Sequence, residues 1–87
     1  MARAVTLYTV GHACPLCDEA LAHLRSLQPE GGFELRVVVI DSDPLLAVRH
    51  ALRVPVIEVD GSEALHGKVT LAALRAALGV SKVARRP

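Results

Sequence analysis

Aromatic residues are nearly absent from this chain of 87 residues: Tyr8 and Phe33 are the only two, and there is no tryptophan. A core must therefore be aliphatic, and 52% of the residues are hydrophobic, mostly Ala, Val and Leu. That fraction excludes an intrinsically disordered chain, and the length suits one small domain with a modest core. An excess of charge is also missing. The formal net charge is +1, so the overall balance calls for neither nucleic acid nor an anionic membrane surface. No apolar run approaches the roughly 20 residues of a membrane span. The opening MARAVTLYTVGH has no separate apolar segment followed by a cleavage site, so no signal peptide is expected and a cytoplasmic setting is. Cysteine is scarce as well, with two in all. A lone pair in such a setting argues against a disulfide framework and for chemistry or a metal.

No internal repeat, linker or low-complexity stretch interrupts the pattern. Residues 4–10 (AVTLYTV) predict a first strand. Pro15 with Asp18 and Glu19 marks a helix start, since proline suits the first helical position and acids the first turn. Leu16, Ala20, Leu24 and Leu27, joined by Cys17 and Leu21, form an apolar stripe at helical spacing. Pro29, Gly31 and Gly32 are expected to end that helix. Residues 33–40 (FELRVVVI) begin with alternation and finish as a continuous apolar run, the pattern of a strand buried on both faces of a parallel sheet. Asp43-Pro44 is a second helix start with Asp43 as N-cap, and Leu45, Val48 and Leu52 supply a short apolar face. Residues 54–59 (VPVIEV) predict a third strand, Asp60-Gly61 a two-residue hairpin, and 62–66 a fourth strand. Thr70 caps a final helix with Leu71, Leu74 and Leu78 on its buried side and Gly79 as its stop. Residues 1–80 thus make one domain, and the basic tail 81–87, with Lys82, Arg85 and Arg86, is expected to be disordered.

The predicted order is β-α-β-α-β-β-α, an α/β class with a mixed four-stranded sheet and flanking helices. Alternation of the first three strands with helices favours parallel pairing through crossovers, while the last two strands form an antiparallel hairpin. This is the element order of the thioredoxin fold.

Both cysteines lie at the junction of the first strand and first helix, in CPLC at 14–17. With Pro15 at the first helical position, Cys14 is the N-cap, and its sulfur faces unpaired backbone N–H groups and the positive end of the helix dipole. A thiolate is stabilised there, and thiol pKa values in such motifs fall from about 8.5 to between about 3.5 and 7.5. Cys17, one turn on, shares the apolar stripe and should be more buried, which suits a resolving thiol. Asp18 and Glu19 would raise the Cys14 pKa, and a protonated His12 would lower it, so Pro15 and His12 are candidates for tuning the thiol. In Arg53-Val54-Pro55-Val56, proline opens a strand, where it is tolerated only at an edge, a bulge or the first position. Arg49 and Arg53 flank this loop. Either they attract a substrate carboxylate, or they are cations favourably placed at a helix end.

The segments LYT, CPLCDEA, IDSDP, VPVIEVDG and LAALRAAL together resemble the glutaredoxin-like branch of the thioredoxin superfamily, in particular its small bacterial proteins. The resemblance implies a thioredoxin-like fold, Cys14 as nucleophile and Cys17 as resolving thiol. It also implies a cis Val54-Pro55 bond beside the reactive cysteine, with the Val54 backbone pairing with substrate. Glutaredoxins usually carry Tyr or Phe where this chain has Leu16. They also have a Gly-Gly pair and an acidic cap before the last helix, where this chain has His66-Gly67-Lys68-Val69-Thr70. Gly67 and the Thr70 cap keep part of that glutathione-holding geometry, so Thr70 joins Arg53, Val54 and Pro55 as a substrate-binding candidate.

The expected function is thiol–disulfide oxidoreduction acting on a protein disulfide or a glutathione mixed disulfide. Glutathione is a candidate co-substrate, a cellular thiol the reductant, no cofactor is bound, and the chain is a monomer binding neither nucleic acid nor membrane. Two alternatives use the same residues. GHACPLC is also similar to the G-M-x-C-x-x-C loop of small copper chaperones, in which two thiolates hold a soft ion, but those domains end on a strand. A zinc site would need further ligands from His12, His23, His50 and His66, which are expected at surface or boundary positions, so no metal is assigned. A thioredoxin-fold module that binds a partner without catalysis is the third class.

Overall fold

The structure, a computed structural model, describes residues 3–80; the tail 81–87 lies outside the described residues. Four strands, β1 (Ala4–Thr9), β2 (Glu34–Val39), β3 (Val56–Val59) and β4 (Ser62–His66), form one sheet in the order β2-β1-β3-β4. Three helices, α1 (Pro15–Gly31), α2 (Pro44–His50) and α3 (Leu71–Leu78), complete the β-α-β-α-β-β-α order expected from the sequence.

Alternation along β1 sends Val5 and Leu7 to one face and Thr6 and Tyr8 to the other. On the first face, Val5, Leu7 and Ile57 pack with Ala20, Leu24 and Leu27 of α1 and Leu74 and Leu78 of α3 in one aliphatic core, closed by Phe33 and Val69. The local signals act where the sequence places them. Asp43 accepts the N–H groups of Leu45 and Leu46 at the start of α2. Thr70 accepts the Ala73 N–H at the start of α3. Asp60 and Gly61, both at positive φ, turn the β3–β4 hairpin.

The structure corrects five expectations. First, β1 pairs with β2 in parallel but with β3 antiparallel. Helix α2 has seven residues, about 10 Å of rise, too short to carry the chain back along a strand. It leaves β2 and enters β3 at the same end of the sheet: Thr9 pairs with Val39 and Tyr8 with Val56. Second, β2 is an edge strand, so Arg36, Val37 and Val39 are exposed rather than buried on both faces. Third, α1 does end at Gly31 and Gly32 as expected, with the left-handed Gly32 donating its N–H to the Gln28 carbonyl at 2.8 Å, but Pro29 does not stop it and lies inside the helix. Pro29 lies in the last turn on an exposed side with Arg25 and Ser26, where the missing backbone bond is least costly.

Fourth, Leu45, Val48 and Leu52 face away from the sheet, at 81%, 88% and 101% exposure. Helix α2 instead turns Leu46, Ala47 and His50 inward. Fifth, His50 is therefore not a surface or boundary residue but is 4% exposed, stacked on the Tyr8 ring with centroids 4.6 Å apart. Neither nitrogen of its imidazole has a hydrogen-bond partner.

Because one aliphatic cluster holds α1 and α3 on the sheet, Leu24→Ala should destabilise the domain by about 2–5 kcal/mol. Urea denaturation with an unchanged m-value would show it, whereas a loss below ~1 kcal/mol would place the core elsewhere.

Candidate active site

The chain leaves β1 and reaches α1 through residues 10–14, and the structure puts Cys14 at the helix N-cap. Its sulfur accepts the Cys17 N–H at 3.2 Å, and its carbonyl accepts the Asp18 N–H at 3.0 Å. One of the helix's unpaired donors thus points at sulfur rather than at water. Pro15 opens the helix at no hydrogen-bond cost. Cys14 and Cys17 are joined as a disulfide with their Cα atoms 5.2 Å apart. Cys14 is half-buried and Cys17 is 3% exposed, the asymmetry expected from the apolar stripe. Asp18 is the acid in the first turn. Glu19 is engaged by Lys68 Nζ at 3.2 Å and lies 3.8 Å from His23.

Register puts a second segment at the same end of the sheet. Val56 pairs with Tyr8, so Pro55 sits opposite the end of β1. The Val54–Pro55 peptide is cis, Pro55 is buried and Val54 is half-buried. The Pro55 carbonyl accepts the Gly67 N–H at 2.9 Å, which ties the turn before α3 to this loop. Thr70 lies three residues beyond Gly67 and commits its hydroxyl to capping α3.

Arg53 forms a two-pronged ion pair with both carboxylate oxygens of Glu63, and its Nη2 lies 3.2 Å from His66 Nδ1. The hydrogen bond from Arg53 holds the Glu63 carboxyl below the usual carboxylate range. The Arg53 fork therefore already holds a carboxylate. His12 is exposed, with Nδ1 3.5 Å from Asp41 Oδ2. Among the described residues, no group of three or more His, Cys, Asp or Glu side chains could hold a metal ion, and no helix is long and apolar enough to cross a membrane.

Sequence reasoning missed two contacts here. Asp41 Oδ2 accepts the Gly11 N–H at 3.1 Å, bracing the loop before Cys14 from the end of β2. Tyr8 donates to Glu58 Oε1 at 3.2 Å beneath His50. Both join residues far apart in sequence. The only prior signals were an acid following β2 and an aromatic among aliphatics.

Residues 4–79 match the glutaredoxin-like domain (DUF836). The chain belongs to that family. Among solved structures, this glutaredoxin-like domain is similar to protein XcR50 from X. campestris, at 33% identity and a TM-score of 0.72 over 88% of this chain and 97% of that one. It is also similar to protein Ne2328 from Nitrosomonas europaea, at 32% identity and a TM-score of 0.74 over 87% and 91% of the two chains. A structure described as a malarial protein shares the fold, at 19% identity and a TM-score of 0.67 over 91% of this chain and 96% of that one. Comparison with the curated proteins finds no match. The fold is thioredoxin-like, as the sequence implied.

Tyr8 is the only tyrosine of the domain, so its ionisation is directly visible. Burial, then the charge and hydrogen bond of Glu58, push its pKa above 10.0, while Arg49 and Arg36 oppose the shift. A raised folded-state pKa contributes stability that is present below the unfolded value and is lost as pH rises through the folded one. Tyrosinate absorbance should therefore titrate with a midpoint above 10.0 in the folded domain and nearer 10.0 in Glu58→Gln. A wild-type midpoint at or below 10.0 would contradict the Tyr8–Glu58 contact.

Proposed function

We infer that this glutaredoxin-like domain is a thiol–disulfide oxidoreductase. The observation that carries this reading is the Cys14 sulfur at the N-cap of α1, accepting the Cys17 N–H. In the reduced protein that donor and the helix dipole favour a Cys14 thiolate. The thiolate attacks one sulfur of a substrate disulfide. The substrate S–S bond breaks, one substrate sulfur leaves as a thiolate, and the other is bound to Cys14. Cys17 loses its proton and attacks the Cys14 sulfur, which expels the second substrate thiol and forms the Cys14–Cys17 disulfide. Two electrons have passed from the dithiol to the substrate, and a cellular thiol reductant returns them.

The remaining assignments belong to the same proposal. The Val54 backbone, beside Pro55, pairs with the substrate chain, and His12 in its protonated form favours the thiolate. Thr70 supports the substrate through the turn it fixes, and Arg53 contributes to the rim through its pair with Glu63. The cycle uses no bound organic cofactor, and glutathione is its candidate co-substrate. The domain acts as a monomer on a protein or glutathione disulfide, without nucleic acid or membrane. A cytoplasmic setting, which keeps thiols reduced, sets the reducing direction.

Removing the resolving thiol tests the order of attack. Cys17→Ser, mixed with oxidised glutathione, should accumulate one glutathione adduct on Cys14 by mass spectrometry, and Cys14→Ser should give none at Cys17. An adduct on Cys17 alone would reverse the roles. No adduct on either cysteine would remove the proposed chemistry.

A further inference from the structure

We propose that Asp41 is a positioning residue for the proposed reaction: its carboxylate clamps the loop that delivers Cys14 to the N-cap of α1. This deepens the oxidoreductase reading and rests on it. The loop between β1 and α1 has few restraints of its own. Among the described residues, the only hydrogen bond and ion pair that tie Gly11, His12 or Ala13 to another element both end on Asp41. A single oxygen, Asp41 Oδ2, accepts the Gly11 N–H at 3.1 Å and lies 3.5 Å from His12 Nδ1. Both residues stand just before Cys14, in GHAC.

Strand register explains why an acid serves at this position. Thr9 pairs with Val39, so Gly11 and Asp41 come abreast just beyond the end of the ladder. Glu34 donates its N–H to the Arg3 carbonyl at 2.9 Å. Alternation from that bond makes Gly11 the next donor past Thr9, with the Ile40 carbonyl as its ladder acceptor. That carbonyl is taken, because it accepts the Asp43 N–H at 3.0 Å around the 3-10 turn Ile40–Ser42. The Asp41 side chain supplies the missing acceptor. The turn that carries it is itself fixed, since Ile40 is buried and Asp43 caps α2. Gly11 permits the approach: a Cβ there would lie 3.1 Å from Asp41 Oδ2 and 3.3 Å from Val39 Cγ1.

The accepting oxygen of Asp41 and its charge act on Cys14 in opposite directions. The bond to Gly11 fixes the chain as it approaches α1, and with it the Cys14 sulfur opposite the Cys17 N–H at 3.2 Å. Without that bond the loop, and the sulfur with it, leaves the donor for part of the time. The carboxylate keeps its negative charge while it accepts an N–H, and a nearby negative charge disfavours a thiolate. Protonated His12, against the same oxygen, offsets it. The other charges around the helix start are Asp18 and Glu19 on α1 and Lys68 before α3, whose Nζ lies 3.2 Å from Glu19. Positioning thus belongs to the accepting oxygen and not to the charge, so an amide should serve in its place.

The test compares Asp41→Ala with Asp41→Asn in the reduced full chain, with iodoacetamide alkylation of Cys14 followed against pH by mass spectrometry. On the acid side of the profile, Asp41→Ala should react at least about threefold more slowly than the wild type, the effect of one lost hydrogen bond. Asp41→Asn, whose amide oxygen still accepts the Gly11 N–H, should stay within about twofold of the wild type or react faster. Asp60→Ala controls for stability alone. It removes the acceptor of the Ala4 N–H, a 3.0 Å bond at the opposite end of β1, and should melt lower with the Cys14 profile unchanged. Asp41→Ala reacting like the wild type would overturn the proposal. So would Asp41→Asn as slow as Asp41→Ala, because the charge would then be what matters. Asp60→Ala equally slow would overturn it too, because any loss of stability would then suffice. Alkylation needs no disulfide substrate. A wild type that attacks no oxidised glutathione, with the alkylation order intact, would end the oxidoreductase reading and leave Asp41 in its role. Equally fast attack by wild type and Asp41→Ala would do the reverse.

Discussion

A sulfur atom occupies the place where a helix ordinarily takes a serine or aspartate oxygen. Cys14 caps α1, and Pro15 fixes where the helix begins. That start sets the register of everything that follows: Cys17, Ala20, Leu24 and Leu27 fall on one side and are buried. The same phase that aims an N–H at the Cys14 sulfur also sends the aliphatic stripe into the core. Shifting α1 by one residue would turn the stripe off the sheet and the donor off the sulfur. Candidate site and core are two consequences of one helix start.

The two faces of the sheet are used differently. Helices α1 and α3 cover one face with aliphatic side chains alone. The other face carries Thr6, Tyr8, Arg36 and Glu58, and only the short α2 lies against it. There the Tyr8–His50 stack supplies the contact, and His50 accepts burial without a hydrogen bond for either nitrogen, a cost of about 1–3 kcal/mol for each unmet polar group. The helix that bears this cost also joins the loop before Cys14 to the loop of Pro55. We read the arrangement as favouring position over stability.

Features set by neighbouring residues were legible in the sequence. Asp43-Pro44, Asp60-Gly61, Thr70 and Gly79 each state their turn or cap locally, and the structure uses every one. The CPLC junction was legible for the same reason, since N-cap, proline and stripe lie within one helix. The strand run FELRVVVI was misleading because apolar content does not say which strand has two neighbours. Leu45, Val48 and Leu52 show a helical period correctly, but a period cannot tell a covered face from an open one. Asp41 with Gly11 and Arg53 with Glu63 join different elements, so their contacts exist only once the sheet order is known.

The proposed redox chemistry depends on the Cys14 sulfur of the reduced domain being held as a thiolate by the start of α1. The most direct measurement is the pH dependence of iodoacetamide alkylation of the reduced domain, followed separately at each cysteine by mass spectrometry. Cys14 should react fast with an apparent pKa well below about 8.5, while the buried Cys17 reacts slowly at every pH. Slow reaction at both cysteines with an ordinary thiol pKa would contradict the account.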